Sequence, residues 1–215
     1  MLTTSDWRAR FDRLPDAGAY AERIGRHTNI ADYLDDSGYG WYVHHGDLVV
    51  PEDLDHDVAL IVDGDLVVHG FVDDYVSRIG MLVVLGDLVL RDLVSWGSVY
   101  VGGDLRAEGM VCGYYNDFTF EVAGAVHGRA LVLDDKSASY GTGELEVGID
   151  SYDPTKEQLR AAREILVPQL YDGGAKRARE GRLPKLGRPS YRRICRRLHA
   201  GKPLFRSADR ADRAE

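Results

Sequence analysis

Three sets of side chains in this sequence have residue types that chemistry requires. His44, His45, His56, His69 and His127 lie along one stretch, and histidines on neighbouring turns of a repeated strand are one way to hold a catalytic zinc ion. Asp73-Asp74 and Asp134-Asp135 are adjacent carboxylates, the residue type that polysaccharide-cleaving enzymes use as general acid and base. Asp47, Asp65, Asp87 and Asp104 each follow a glycine in a recurring Gly-Asp-Leu unit. A carboxylate repeated once per turn of a solenoid is suited to a ladder of calcium ions. Whether any set is arranged for reaction depends on the elements that carry it.

Those elements are repeats. The glycines of Gly-Asp-Leu fall at 46, 64, 86 and 103, with a degenerate copy at Gly124, so the unit recurs every 17–22 residues. With each glycine as position zero, positions −4 and −2 hold Leu60 and Val62, Leu82 and Val84, Val99 and Val101, Phe120 and Val122. Positions +2 and +4 hold Leu48 and Val50, Leu66 and Val68, Leu88 and Leu90, Leu105 and Ala107. A third column at +8 reads Leu54, Val72, Val94, Val111 and Val132. Alternation of apolar with variable residues is the period of a strand with one buried face. Gly-Asp at the start, and Pro51, His69, Arg91, Glu108 and Arg129 at +5, often followed by Gly70 or Gly109, supply corners. Three short strands and three corners make one coil, which buries its inward side chains only when coils stack. The fold class expected is an all-β solenoid, a β-helix of five to six rungs, with α-helical N- and C-terminal flanks.

On this frame the reactive sets disperse. The histidines stand at −2, −1, +10, +5 and +3, so they do not align on one corner. Adjacent aspartates of a strand point to opposite faces, which leaves both acid pairs as solvated corners. The tandem Gly-rich nonapeptides of calcium-binding β-rolls are missing, and Gly-Asp reads first as a turn in which Asp bonds a nearby backbone N–H. No G-x-S-x-G elbow, P-loop or H-E-x-x-H is present. The expectation is a protein that is not an enzyme, with no catalytic, cofactor-binding or metal-binding residues. A β-helix enzyme acting on carbohydrate or using a His-bound metal is the second alternative.

The flanks divide the chain into an N-terminal helical cap over 1–40, the β-helix over 41–150 and a basic C-terminal helical region over 151–215. In the first, Trp7, Phe11 and Leu14 at i, i+4 and i+7 behind Thr4 or Ser5 predict an amphipathic helix. In the last, Asp153 as N-cap and Pro154 open a helix with Leu159, Ala162, Ile165 and Leu166 on one face. A second helix from Pro189 presents Tyr191, Ile194, Cys195 and Leu198. Unpaired edges of the first and last rungs recruit other chains, so the helices are expected over those ends.

Charge is sharply divided. Residues 41–150 carry 5 basic and 20 acidic groups, and residues 151–215 carry 17 and 8. A basic tail suits nucleic acid, but the acidic body repels phosphate and no nucleic-acid module is visible. Arg192, Arg193, Arg196 and Arg197 therefore read as a solvated or body-docked helix face. Cys112 and Cys195, far apart in sequence behind a charged N-terminus, fit a reducing cytoplasm rather than a disulfide framework. No apolar run approaches the ~20 residues that span a bilayer.

The rungs of the form V-x-V-x-G-D-L-x-V over 41–148 resemble those of bactofilins, the polymer-forming bacterial cytoskeletal proteins. The Tyr-Asn turn GYYND at 113–117 and the basic helical ending RRLHAGKPLF are similar to features of bacterial companions of secreted polymorphic toxins. That resemblance implies an immunity-type protein, binding and neutralising a cognate toxin. The bactofilin resemblance implies the first alternative, a polymer-forming scaffold, and leaves self-association open. For the partner-binding face, unequal insertions at the third corner bring Tyr75, Trp96, Tyr114 and Tyr115 beside Asp73, Asp74 and Asp117. Insertions on one side of a solenoid map to a binding face, and aromatic anchors within an acidic rim suit a basic toxin domain.

Overall fold

The computed structural model describes residues 7–25, 28–35, 40–74, 80–115, 117–149, 153–172, 179 and 187–207. Across 41–149 the chain winds through six stacked coils, each with three strand segments meeting at three corners. Face A is built from β2 (Trp41–His45), β5 (Ala59–Asp63), β7 (Met81–Val84), β9 (Val99–Val101) and the starts of β12 (Thr119–Asp134) and β13 (Ser137–Ile149). Face B takes β3 (Leu48–Val50), the first half of β6 (Leu66–Asp73), the first half of β8 (Leu88–Ser95) and β10 (Leu105–Ala107), then the middles of β12 and β13. Face C takes β4 (Leu54–Asp55), the ends of β6 and β8, β11 (Met110–Tyr114) and the ends of β12 and β13. Coil pairs with coil in parallel: Leu48, Leu66, Leu88, Leu105 and Val126 form one in-register row. Leu66, Val68, Val84, Leu88, Leu90 and Val101 all lie inside the resulting column, as the alternation requires.

The third column differs from its expected composition. Leu54, Val72, Leu93, Val111 and Leu131 are the residues that stack inward, whereas Val94 and Val132 point outward into a second cluster. The register slips by one residue at the corner between faces B and C, between Val68 and Phe71. Gly70 and Gly109 stand where the longer corners turn, and an odd number of corner residues exchanges inward for outward side chains.

The helices also sit elsewhere than expected. They lie along the sides of the solenoid, not over its ends. Helices α1 (Gly18–Ile24) and α2 (Ala31–Asp35) cover the outward row of face A, with Tyr20, Ala21, Ile24, Ile30 and Leu34 against Trp41, Val43, Ile61, Met81 and Val83. Helices α3 (Lys156–Ile165) and α4 (Tyr191–His199) cover face C, with Ala162, Leu166, Tyr191, Ile194, Cys195 and Leu198 against Val94, Met110, Cys112, Val132 and Ile149. In place of a helix through Trp7, Phe11 and Leu14, the chain forms a 3-10 turn (Trp7–Arg10) and strand β1 (Asp12–Leu14), which pairs antiparallel with β2. Pairing the free backbone edge of β2 outranks a short helical pattern, and Phe11 packs into the core beside the His44 ring at 5.9 Å. Thr4 and Ser5 lie outside the described residues. Helix α3 is capped by Thr155 rather than Asp153. The Thr155 hydroxyl accepts the Gln158 N–H at 3.1 Å and the Gln158 side chain accepts the Thr155 N–H at 2.8 Å, a reciprocal capping box. Among the described residues no helix is long and apolar enough to cross a membrane.

Candidate functional site

Gly-Asp-Leu builds the corner between faces A and B. Asp47 Oδ1 accepts the Asp65 N–H at 2.9 Å, Asp65 Oδ1 the Asp87 N–H at 2.8 Å, Asp87 Oδ1 the Asp104 N–H at 2.8 Å and Asp104 Oδ1 the Ala125 N–H at 2.8 Å. Each carboxylate thus holds the next coil, and the glycine before each aspartate is where the carboxylate below must fit. A Cβ on Gly64 would stand 2.6 Å from Asp47 Oδ1, and one on Gly86 would collide with Asp65 Oδ1. Gly46, with no coil beneath it, is glycine for its positive φ of 84°. The Ala125 N–H is the main reason that the Asp104 carboxyl is held below the usual range, with Arg106 adding to it. Asp53 and Asp92 do the same at the next corner, accepting the N–H groups of Phe71 and Met110 at 2.9 Å each.

The third corner gathers most of the residues assigned to partner binding, in unequal roles. Asp73 and Asp74 are buried. Asp73 Oδ2 meets His199 Nε2 at 2.6 Å, tying the end of α4 to coil 2. Asp74 accepts the Ser95 hydroxyl at 2.7 Å, the Gly97 N–H at 3.2 Å and the Trp96 N–H. Lys136, also buried, donates to Ser95 Oγ at 3.2 Å, to the Trp96 carbonyl at 3.3 Å and to the Gly97 carbonyl. Burial lowers the Lys136 ammonium to about 8, partly offset by Asp74. Tyr75 lies outside the described residues.

Trp96, Tyr114 and Tyr115 do converge. Trp96 stacks on Tyr115 with ring centroids 5.2 Å apart and meets Tyr114 edge-on at 4.9 Å. The belt continues through Tyr191 of α4, 5.3 Å from Tyr114, and through Phe118, 5.9 Å from Tyr115, to Tyr33 of α2. Tyr115 holds a φ of 90°, an uncommon conformation for a side-chain-bearing residue. Asp117 is exposed; its side chain bonds the Tyr115 phenol, which is raised chiefly by that bond. The aromatics therefore join the two helical flanks around one corner. Nothing in the repeat points to Lys136 or His199, and the sequence places Tyr191 only on the apolar face of its helix, not at this corner.

Cys112 and Cys195, distant in sequence, enter one cluster between face C and α4. Burial pushes both thiols up, Cys195 to about 12. A cavity of about 630 Å³ lies between the corner of faces B and C and residues 198–207. Its wall alternates Arg91, Glu108 and Arg129, and Arg129 is paired with Glu146 at 2.8 Å and lies over the Phe205 ring at 4.1 Å. Among the described residues no group of three or more His, Cys, Asp or Glu side chains is placed to hold a metal ion.

Face B differs from its neighbours. Its outward row is Val49, Val67, Val89, Arg106 and His127, in register across five coils, followed by Glu144. No described helix covers it, and Val49 is 52% exposed.

These features define a class, a three-sided parallel β-solenoid of six coils with helices along two faces. Over 75 residues the chain is 33% identical to uncharacterized protein YdbD of Escherichia coli (strain K12), a match that takes in 35% of this chain and 10% of that protein. The chain thus spans about a tenth of that relative's length. No protein-family model and no solved structure matches it.

Proposed function

We propose that this chain is a non-catalytic protein-binding solenoid of the immunity type, which neutralises a cognate bacterial toxin domain by occupying it. The observation that carries the reading is the use of the three faces. The chain's own helices cover A and C, while among the described residues no helix lies over B, a sheet on a stacked, cross-linked frame. A surface that is ordered before contact loses little conformational entropy on binding. The conspicuous aspartates support the same reading, since they are engaged with backbone N–H groups of the fold. Co-expression with the product of the adjacent gene tests it. A stable stoichiometric complex on size exclusion, with relief of that product's toxicity, is the expected result. Absence of a complex with either neighbouring product rejects it.

A second reading, a self-associating scaffold of the bactofilin kind, is favoured by the last coil. Among the described residues β13 pairs only with β12, and Ala138, Tyr140 and Leu145 are only partly buried over the core. An open edge above an exposed core end is a template for another chain. At the first coil β1 covers only the edge of β2, while among the described residues β3 and β4 pair with β6 alone, so this reading expects end-to-end assembly in which the last coil takes part. Sedimentation showing dimers that a Tyr140→Lys substitution dissociates would favour it over toxin neutralisation.

A further inference from the structure

The outward residues of faces A and C are apolar for a visible reason, since the chain's own helices cover them. Face B carries the same signature on half its length, with no helix over it among the described residues. In coils 1 to 3 its outward residues are Val49, Val67 and Val89; in coils 4 to 6 they are Arg106, His127 and Glu144. Strands stack about 4.8 Å apart, so the three valines form a ridge about 10 Å long. Val49 is 52% exposed while Val67 and Val89 are half-buried, so the row is a narrow apolar strip; single surface apolar residues are ordinary, and what sets this row apart is its alignment with the charges beside it.

Charge on the two edges of the ridge identifies what contacts it. Along the corner of faces A and B run Asp47, Asp65 and Asp87, each using Oδ1 to hold the next coil. Among the described residues the second oxygen of each has no partner. In the polar half the equivalent carboxylate, Asp104, is instead neutralised by Arg106 and stands 3.8 Å from His127. Uncompensated acid and outward-facing valine therefore coincide coil by coil, and both give way together at coil 4. On the opposite edge stand Asp53, His69 and Arg91, with Arg91 already held by Asp92 at 3.1 Å and lying 3.6 Å from Asp53. At the N-terminal end the Arg10 guanidinium is bonded to the Val49 carbonyl at 2.6 Å. The ridge is bordered by net negative charge on a body that is itself strongly acidic.

We infer that the row Val49-Val67-Val89, edged by Asp47, Asp65 and Asp87, is the docking surface for a basic protein partner that lays an apolar strip along the valines and lysine or arginine side chains along the carboxylates. The inference rests on the protein-binding reading above and adds where the partner sits and what chemistry it presents. A second copy of the chain would bring its own carboxylate row and acidic body to the contact, where like charges oppose association.

The ladder supplies a clean test, because an Asn amide oxygen accepts the same N–H without the charge. With the complex formed by the adjacent-gene product, Val67→Lys should weaken binding at least tenfold. The triple variant Asp47→Asn, Asp65→Asn, Asp87→Asn should slow association about tenfold and flatten its salt dependence, with circular dichroism and melting close to the parent protein. Hydrogen exchange should show protection on β3, β6 and β8. A complex indifferent to both variants, or one lost instead on Trp96→Ala or Tyr115→Ala, overturns the assignment of the face while leaving protein binding intact. Self-association abolished by Val67→Lys would give the face to a second copy and also overturns it. Failure to form any complex removes the protein-binding reading and this inference with it.

Discussion

The corner between faces A and B and the third corner, between C and A, use one side chain for one task, yet they differ in almost every other respect. At the first, Asp47, Asp65, Asp87 and Asp104 accept backbone N–H groups one coil on, near solvent and with a fixed Gly-Asp-Leu spelling. At the third, Asp74 accepts the N–H groups of Trp96 and Gly97 and the hydroxyl of Ser95, buried and linked through Ser95 to Lys136 from three coils further along. A regular corner is stabilised by repetition and tolerates the loss of one unit. An irregular corner is held by a single network, in which removing one member strands the others in a region of low dielectric.

The largest effect that would sharpen this contrast is expected from Asp74→Ala. It strands the Ser95 hydroxyl and the Trp96 and Gly97 N–H groups, each at about 1–3 kcal/mol, and removes the negative charge that faces the buried Lys136 ammonium through Ser95. Chemical denaturation should report that loss, and a cost under about 1 kcal/mol would erase the distinction between the corners. Next comes pH. The Lys136 ammonium titrates near 8 in the folded chain, below its ordinary value of about 10.4 when unfolded, so the unfolded state holds more protons between these values and stability rises as pH rises through them. Cys112 and Cys195, raised by burial, act oppositely once unfolded thiols ionise above about pH 8.5. The measurement is therefore the difference between the parent and Lys136→Met. The parent should gain up to about 3 kcal/mol relative to the variant between pH 8 and 10.4, and a difference independent of pH would contradict a buried charged lysine.

Smaller effects belong to the regular corner. Asp65→Ala frees one Asp87 N–H that water partly reaches, a loss of about 1–2 kcal/mol. Asp65→Asn keeps the acceptor and should cost under about 1 kcal/mol. If the two substitutions were equal, the ladder would be acting through charge rather than through the hydrogen bond.

The same contrast explains what could be read in advance. The repeat offsets locate the inward rows of faces A and B because each inward residue is followed, one coil later, by another at the same offset. They fail on face C, where Val94 and Val132 turn outward and Leu93 and Leu131 take their places, since one extra corner residue reverses the alternation. Among the candidate site residues, Trp96, Tyr114 and Tyr115 meet as the insertions suggested. Asp73 and Asp74 turn inside, because the unpaired N–H groups of the irregular corner and the ring of His199 require acceptors there. The outward valines of face B stand at +3 in the first three repeats, but their exposure depends on which faces the helices cover.

By itself the sequence determined the solenoid, its coil count, the inward rows of two faces and the Gly-Asp corners, along with the apolar stripe of α4 at Tyr191, Ile194, Cys195 and Leu198. These depend on contacts between residues at nearly constant separation, which a repeat displays directly. Only the tertiary structure decided that the helices lie along faces A and C, that β1 rather than a helix pairs with the edge of β2, that Lys136 and Asp74 meet through Ser95 inside the third corner, and that no described helix covers face B. Those outcomes join residues as far as 126 positions apart with no repeated offset, and they are settled by which apolar rows and unpaired backbone groups remain to be covered once the coils have stacked.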